Sequence, residues 1–122
     1  MNYSSLGKTG LQVSKLGYGA WGIGKGMWIG ADDDESLRSL RRAIDQGVNF
    51  VDTAPGYGEG HSEKLVGQAV REAGRVVYVS SKVPPKNRKW PAPEEYRQTT
   101  YSRRTGSWSA PSEAWRTFGS KR

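Results

Sequence analysis

The sequence predicts an α/β fold built on a parallel sheet. Three observations carry this. Two stretches, 32–47 and 62–74, repeat apolar residues at helical spacing. Three short apolar runs, at 15–19, 48–52 and 76–82, flank them. The resulting order, β-α-β-α-β, calls for parallel strands joined by right-handed crossovers.

Met1 to Val13 holds two half-apolar runs around Leu6-Gly7-Lys8-Thr9-Gly10, which predicts a small hairpin. Lys15 to Gly19 is a short strand, and Gly22, Gly24, Gly26 and Gly30 make a long glycine-rich loop after it. Asp32-Asp33-Asp34-Glu35 opens the first helix. Acids favour the positive end of the helix dipole, and Asp32 with Glu35 has capping-box spacing. Leu37, Leu40, Ala43 and Ile44 then line one face, and Gly47 sits where a helix stops. Val48 to Asp52 shows little polar alternation, which suits a buried parallel strand. A loop over 53–60 follows. Ser62 is expected to cap the second helix, whose apolar positions are Leu65, Val66, Ala69, Val70 and Ala73, ending at Gly74. Val76 to Lys82 is the third strand.

At 122 residues the chain is expected to hold one domain at most. With 0 cysteines it has no disulfide framework and no zinc-finger site. Its apolar runs are too short to span a membrane. The opening MNYSSLGKTG lacks a signal-peptide core, so a cytoplasmic location is expected. A net charge of +7 taken alone points to a polyanion such as nucleic acid. The charge is uneven, however. Residues 1–95 carry 13 Lys+Arg against 11 Asp+Glu, whereas 96–122 carry 6 against 1. The second stretch has no Leu, Ile, Val or Met, so it cannot offset its ordering entropy and reads as a disordered basic tail. The division is therefore a body over 1–95 and a tail over 96–122. One functional alternative follows: a basic nucleic-acid-binding module in which Tyr96, Tyr101, Trp108 and Trp115 stack on bases.

Gly17-Tyr18-Gly19-Ala20-Trp21-Gly22 matches the dinucleotide fingerprint GxGxxG letter for letter. That fingerprint must open a helix at once, so that the helix N-terminus receives the pyrophosphate. Here the helix starts about ten residues later, with three Asp and one Glu in its first turn, which repel a phosphate. A stronger constellation is polar residues at strand ends: Asp52 ends the second strand, Tyr57 lies in the next loop and Lys82 ends the third strand. In a parallel βα array all three project at the carboxyl edge, where such folds place ligands. A carboxylate keeps a lysine charged, an ammonium stabilises a neighbouring phenolate, and the result is a tyrosine able to hand a proton to a developing alkoxide. Spacing also leaves open a plainer arrangement, in which Asp52 caps a loop, Tyr57 packs and Lys82 is solvated. His61 is the only histidine and reads as a capping or loop contact, and no histidine or cysteine cluster accompanies it to hold a metal.

At these residues the sequence resembles the N-terminal third of an aldo-keto reductase. The matching strings are LGKTGLQVSKLGYGAWGIG, WIGADDDESLRSLRRAIDQGVNFVDTAPGYGEGHSEKLVGQAVRE and VYVSSKV, spanning roughly 1–93. The resemblance implies a (β/α)8 TIM barrel, here incomplete: the first three βα units preceded by a β-hairpin that closes the barrel bottom. It implies reduction of a small-molecule aldehyde or ketone with NADPH or NADH, with neither nucleic acid nor membrane as partner. The family's catalytic tetrad is Asp, Tyr, Lys and His. By resemblance Tyr57 is the general acid, Asp52 and Lys82 tune it, Gly19, Ala20, Trp21 and Asp52 contact the cofactor, and Trp28 lines the substrate pocket. The fourth member follows the family's fourth strand, and no histidine lies beyond His61. The chain alone is thus expected to be truncated and catalytically incomplete, since such a barrel needs about 250 residues.

The family continues with segments like FPPDWI and CTERSLENL, which this chain lacks. Reading each codon's third base with the next codon's first two, Thr100 to Ser107 permits Val-Phe-Pro-Pro-Asp-Trp-Ile. In the same frame Ser109 to Ser120 permits Cys-Thr-Glu-Arg-Ser-Leu-Glu-Asn-Leu-Arg. The residues from about 95 onward therefore read as a frame-shifted translation of the family's next segment, which the nucleotide sequence tests.

Overall fold

The computed structural model describes residues 1–28 and 30–83. The expected tail, its boundary at 95 and the frame-shift reading fall outside the described residues.

The chain begins with an antiparallel hairpin of β1 (Tyr3–Ser5) and β2 (Gln12–Ser14). Its turn closes through Leu6 N donating to the Leu11 carbonyl at 2.9 Å, with Gly7 and Gly10 at positive φ. A separate parallel sheet has the order β3 (Tyr18–Gly19), β4 (Phe50–Asp52) and β5 (Tyr78–Ser80). Two helices, α1 (Asp33–Asp45) and α2 (His61–Glu72), make the crossovers. The α/β class and the β-α-β-α-β order are those expected. The strands are shorter than the apolar runs that announced them, because pairing to a neighbour covers only two or three residues of each.

Asp32 caps α1, its carboxylate accepting from Glu35 N at 2.9 Å. Leu37, Leu40 and Ile44 are buried and Ala43 only half so. They meet Leu65, Val66 and Ala69 of α2, with Ala20, Ile23 and Val51 beneath, in one core. Burying an aliphatic side chain of this size contributes about 1.5–3 kcal/mol. Gly47, at φ 101, lets the chain leave α1, and Gly74, at φ 60, does the same after α2.

Two expectations are corrected. Ser62 does not cap α2; Gly60, at φ 88, occupies that position and Ser62 lies inside the first turn. Its hydroxyl is committed elsewhere, donating to the Ala20 carbonyl at 2.7 Å and bonded to Thr53 Oγ1 at 2.9 Å, so a tertiary contact has displaced the local cap. The glycine-rich loop is also not wholly irregular, for Gly22–Gly24 form a short 3-10 turn.

The hairpin is fixed to the amino end of the sheet. Asn49 accepts from Ser14 N at 2.7 Å and donates through Nδ2 to the Gln12 carbonyl at 2.9 Å. Tyr3 donates its hydroxyl to the Gly47 carbonyl at 2.9 Å. Among the described residues no helix is long and apolar enough to cross a membrane.

Candidate active site

The carboxyl edge of the sheet gathers three of the residues singled out by sequence. Asp52 is the last residue of β4, and Lys82 follows β5 by two residues. Parallel pairing sets Asp52 beside Ser80, so the lysine reaches back across a strand end. Lys82 Nζ donates to Asp52 Oδ2 at 2.8 Å, to Oδ1 at 3.0 Å and to the Thr53 carbonyl at 3.0 Å. It also stands 4.8 Å from the centre of the Tyr57 ring. Partial burial works against the Lys82 charge, but hydrogen bonds to Asp52 and then Tyr57 outweigh it and hold the amine above its ordinary 10.5. The lysine is thus paired with Asp52 while its side chain stays 50% exposed, so it is both partnered and partly solvated.

Glycine packing holds Tyr57 in place. The glycine-rich loop and the Tyr57 loop touch backbone to backbone at Gly24 and Gly58. A Cβ on Gly24 would lie 2.7 Å from the Tyr57 carbonyl carbon and oxygen, and one on Gly58 would overlap the Gly24 carbonyl. A second joint lies beside it. Asp33 Oδ1 accepts from Lys25 Nζ at 2.8 Å and bonds His61 Nε2 at 2.9 Å, tying loop, α1 and α2 at one carboxylate. The hydrogen bond from Lys25, then that of His61, holds the Asp33 carboxyl below its ordinary 3.8. His61 is thus a contact between the first turns of α2 and α1 rather than the cap or loop contact its sequence position suggested.

The remaining residues divide into exposed and internal. Trp21 is 47% exposed and Trp28 53%. They pack edge to face at 5.9 Å, and Trp21 lies 6.2 Å from Tyr57, so the three rings form one aromatic surface beside the Lys82–Asp52 pair. Gly19 is exposed, and a Cβ there would meet nothing within 4 Å. Ala20 is fully buried, with its N–H donating to the Asp52 carbonyl at 2.8 Å and its carbonyl accepting from Ser62. Any part Ala20 plays at the edge is thus to place its neighbours. Among the described residues no three metal-ligating side chains gather.

Sequence reading passed over Glu63, Thr53 and Ser81, and took Ser62 only for a helix cap. Ser62 and Thr53 are fully buried and Glu63 is 1% exposed. Glu63 Oε1 accepts from Ser81 Oγ at 2.8 Å, while Oε2 has no donor among the described residues. The one available signal was GHSE itself, which puts Ser and Glu on the buried side of a helical first turn that is ordinarily solvated.

The chain is similar to known proteins over much of its length. The sequence model of the Aldo/keto reductase family matches residues 15–105. The chain is 47% identical over 75 residues to Aldo-keto reductase YhdN of Bacillus subtilis, covering 62% of this chain and 23% of that protein. It is 42% identical over 72 residues to the NADH-specific methylglyoxal reductase of Escherichia coli, covering 57% and 22%. The glycerol dehydrogenase AKR11B4 from Gluconobacter oxydans superimposes with a TM-score of 0.58 at 40% identity, over 66% of this chain and 25% of that one. The chain thus spans 22 to 23% of the length of these two curated relatives. With 91 of its 122 residues inside the family match, the chain belongs to the aldo/keto reductase family.

Proposed function

We propose that this segment supplies the proton-donating part of an oxidoreductase site that reduces a small aldehyde or ketone, within a (β/α)8 barrel of which it forms the first three βα units. The observation that carries the reading is the cluster of Asp52, Lys82 and Tyr57 at the sheet's carboxyl edge. A phenol that gives up a proton leaves a phenolate, and an ammonium beside it stabilises that charge. Asp52 and the Thr53 carbonyl hold the ammonium in one place, so the geometry is set before substrate arrives. Tyr57 then acts as general acid toward the carbonyl oxygen. Trp28 and Trp21 give a carbonyl compound an apolar wall.

NADPH or NADH, when bound, supplies the hydride. The residues present suit the nicotinamide end of such a cofactor: Gly19 leaves open space at a strand end, Trp21 offers a half-exposed ring face and Asp52 is within reach of solvent. They do not suit its phosphates at α1, whose first turn carries Asp33, Asp34 and Glu35. Phosphate contacts therefore belong to later parts of the barrel.

The test is a chimera in which residues 1–83 replace the matching region of the Bacillus relative. It is expected to oxidise NADPH with a reactive aldehyde. Tyr57→Phe is expected to lower kcat by about 10²–10⁴, the usual worth of a positioned general acid. An unchanged kcat in Tyr57→Phe defeats the assignment. The 122-residue polypeptide alone is expected to show no turnover; robust turnover lost in Tyr57→Phe would overturn its catalytic incompleteness while supporting the role of Tyr57.

A further inference from the structure

The buried dipeptide at the start of α2 has no part in the chemistry above. Ser62 and Glu63 are 0% and 1% exposed. The first turn of a surface helix is normally wet, so two polar side chains hidden there need a reason. Each reaches the end of a strand. Ser62 Oγ donates to the carbonyl of Ala20, just past β3, and bonds Thr53 Oγ1, just past β4. Glu63 Oε1 accepts from Ser81, just past β5.

The three strand-end residues they hold are each adjacent to a residue of the site. Ala20 precedes Trp21, Thr53 follows Asp52 and Ser81 precedes Lys82. Glu63 is also poorly matched to its burial, since Oε2 has no donor among the described residues. A carboxylate kept there at that cost supplies something an apolar side chain cannot, namely the acceptor for Ser81.

We infer that Ser62 and Glu63 are positioning residues that clasp all three strand ends, and that Glu63, through Ser81, sets where the Lys82 ammonium stands relative to Asp52 and Tyr57. The inference deepens the reductase reading and rests on it only for what the cluster is used for. Among the described residues Glu63 hydrogen-bonds Ser81 and not Asp52, Tyr57 or Lys82, so it acts through the backbone of 81–82.

The test reads Lys82 directly in the full 122-residue chain and needs no turnover, so its failure leaves the reductase reading standing. The ¹³Cε resonance of Lys82, assigned with Lys82→Arg, is followed against pH by NMR. In the parent it is expected to titrate above an ordinary lysine. In Ser81→Ala and in Glu63→Ala it is expected to fall toward the ordinary value, with far-UV circular dichroism unchanged for Ser81→Ala. Glu63→Gln keeps an oxygen acceptor for Ser81 and is expected to retain the parent titration. A purely structural role would lower the melting temperature of these variants while leaving the titration in place. Should Glu63→Ala fail to fold, Ser81→Ala carries the test. The inference is overturned if folded Ser81→Ala titrates at Lys82 as the parent does.

Discussion

Replacing Gly58 with alanine probes the contact on which Tyr57 depends. Two costs add. Gly58 sits at φ 65, where a residue with a Cβ is disfavoured by about 1–2 kcal/mol. The new methyl would also overlap the Gly24 carbonyl and approach its carbonyl carbon to 2.7 Å. Overpacking of that kind costs about 1–3 kcal/mol after the neighbours move, and backbone yields less readily than a side chain. The expected loss is therefore about 2–5 kcal/mol. For a domain of this size that lowers the melting temperature by about 10 °C or more, or unfolds the chain outright. Gly56→Ala is the matched control two residues away. It has no positive φ, and a methyl there would meet nothing within 4 Å. It is expected to stay within about 0.5 kcal/mol of the parent. Urea unfolding followed by tryptophan fluorescence measures both. Equal stability for the two variants would refute the view that the loops are locked backbone to backbone.

Leu40 is fully buried between the helices, so Leu40→Ala is expected to cost about 2–5 kcal/mol in the same unfolding assay; a loss under about 1 kcal/mol would mean that the helix layer is loosely packed. Asp33 makes a pH-dependent contribution. Its folded-state carboxyl is held below the ordinary 3.8, so the stabilisation is full above that value and is lost as pH falls through the lower folded value. The stability gap between parent and Asp33→Asn is therefore expected to hold steady above the ordinary 3.8 and to narrow only as pH falls below it, and a gap that does not change there would count against the Lys25–Asp33–His61 joint.

Much of the fold was legible because its signals are local. The Asp32 to Glu35 cap and the Leu37, Leu40, Ile44 face need nothing beyond one helix, and both are present. The approach of Lys82 to Asp52 was legible in part for a different reason: topology brings consecutive parallel strand ends to one edge, although spacing alone left a solvated lysine open and Tyr57 sits in a loop held by the Gly24–Gly58 contact. What escaped was set by partners far along the chain. Ser62 has the composition of a cap, but its partner Ala20 lies 42 residues away and nothing local announces it. Glu63 in a first turn reads as a dipole-matching acid, and only tertiary packing buries it. Strand ends were overdrawn for the same reason. Apolar character marks burial, whereas a strand ends where its neighbour's hydrogen bonds do.

The Asn49 contacts with the hairpin bear on how the site end is kept in step. Asn49 immediately precedes β4, and Asp52 closes it three residues later, so about 10 Å of strand separates the two. One end is gripped by Ser14 and Gln12, the other by Lys82. A strand this short, anchored at both ends, has no alternative register, because sliding by one residue breaks both grips and turns Val51 out of the core. The hairpin at the amino end thereby acts as a gauge for the opposite edge. Damage to Asn49 would be felt as a misplaced carboxylate at Asp52, although the two side chains never meet.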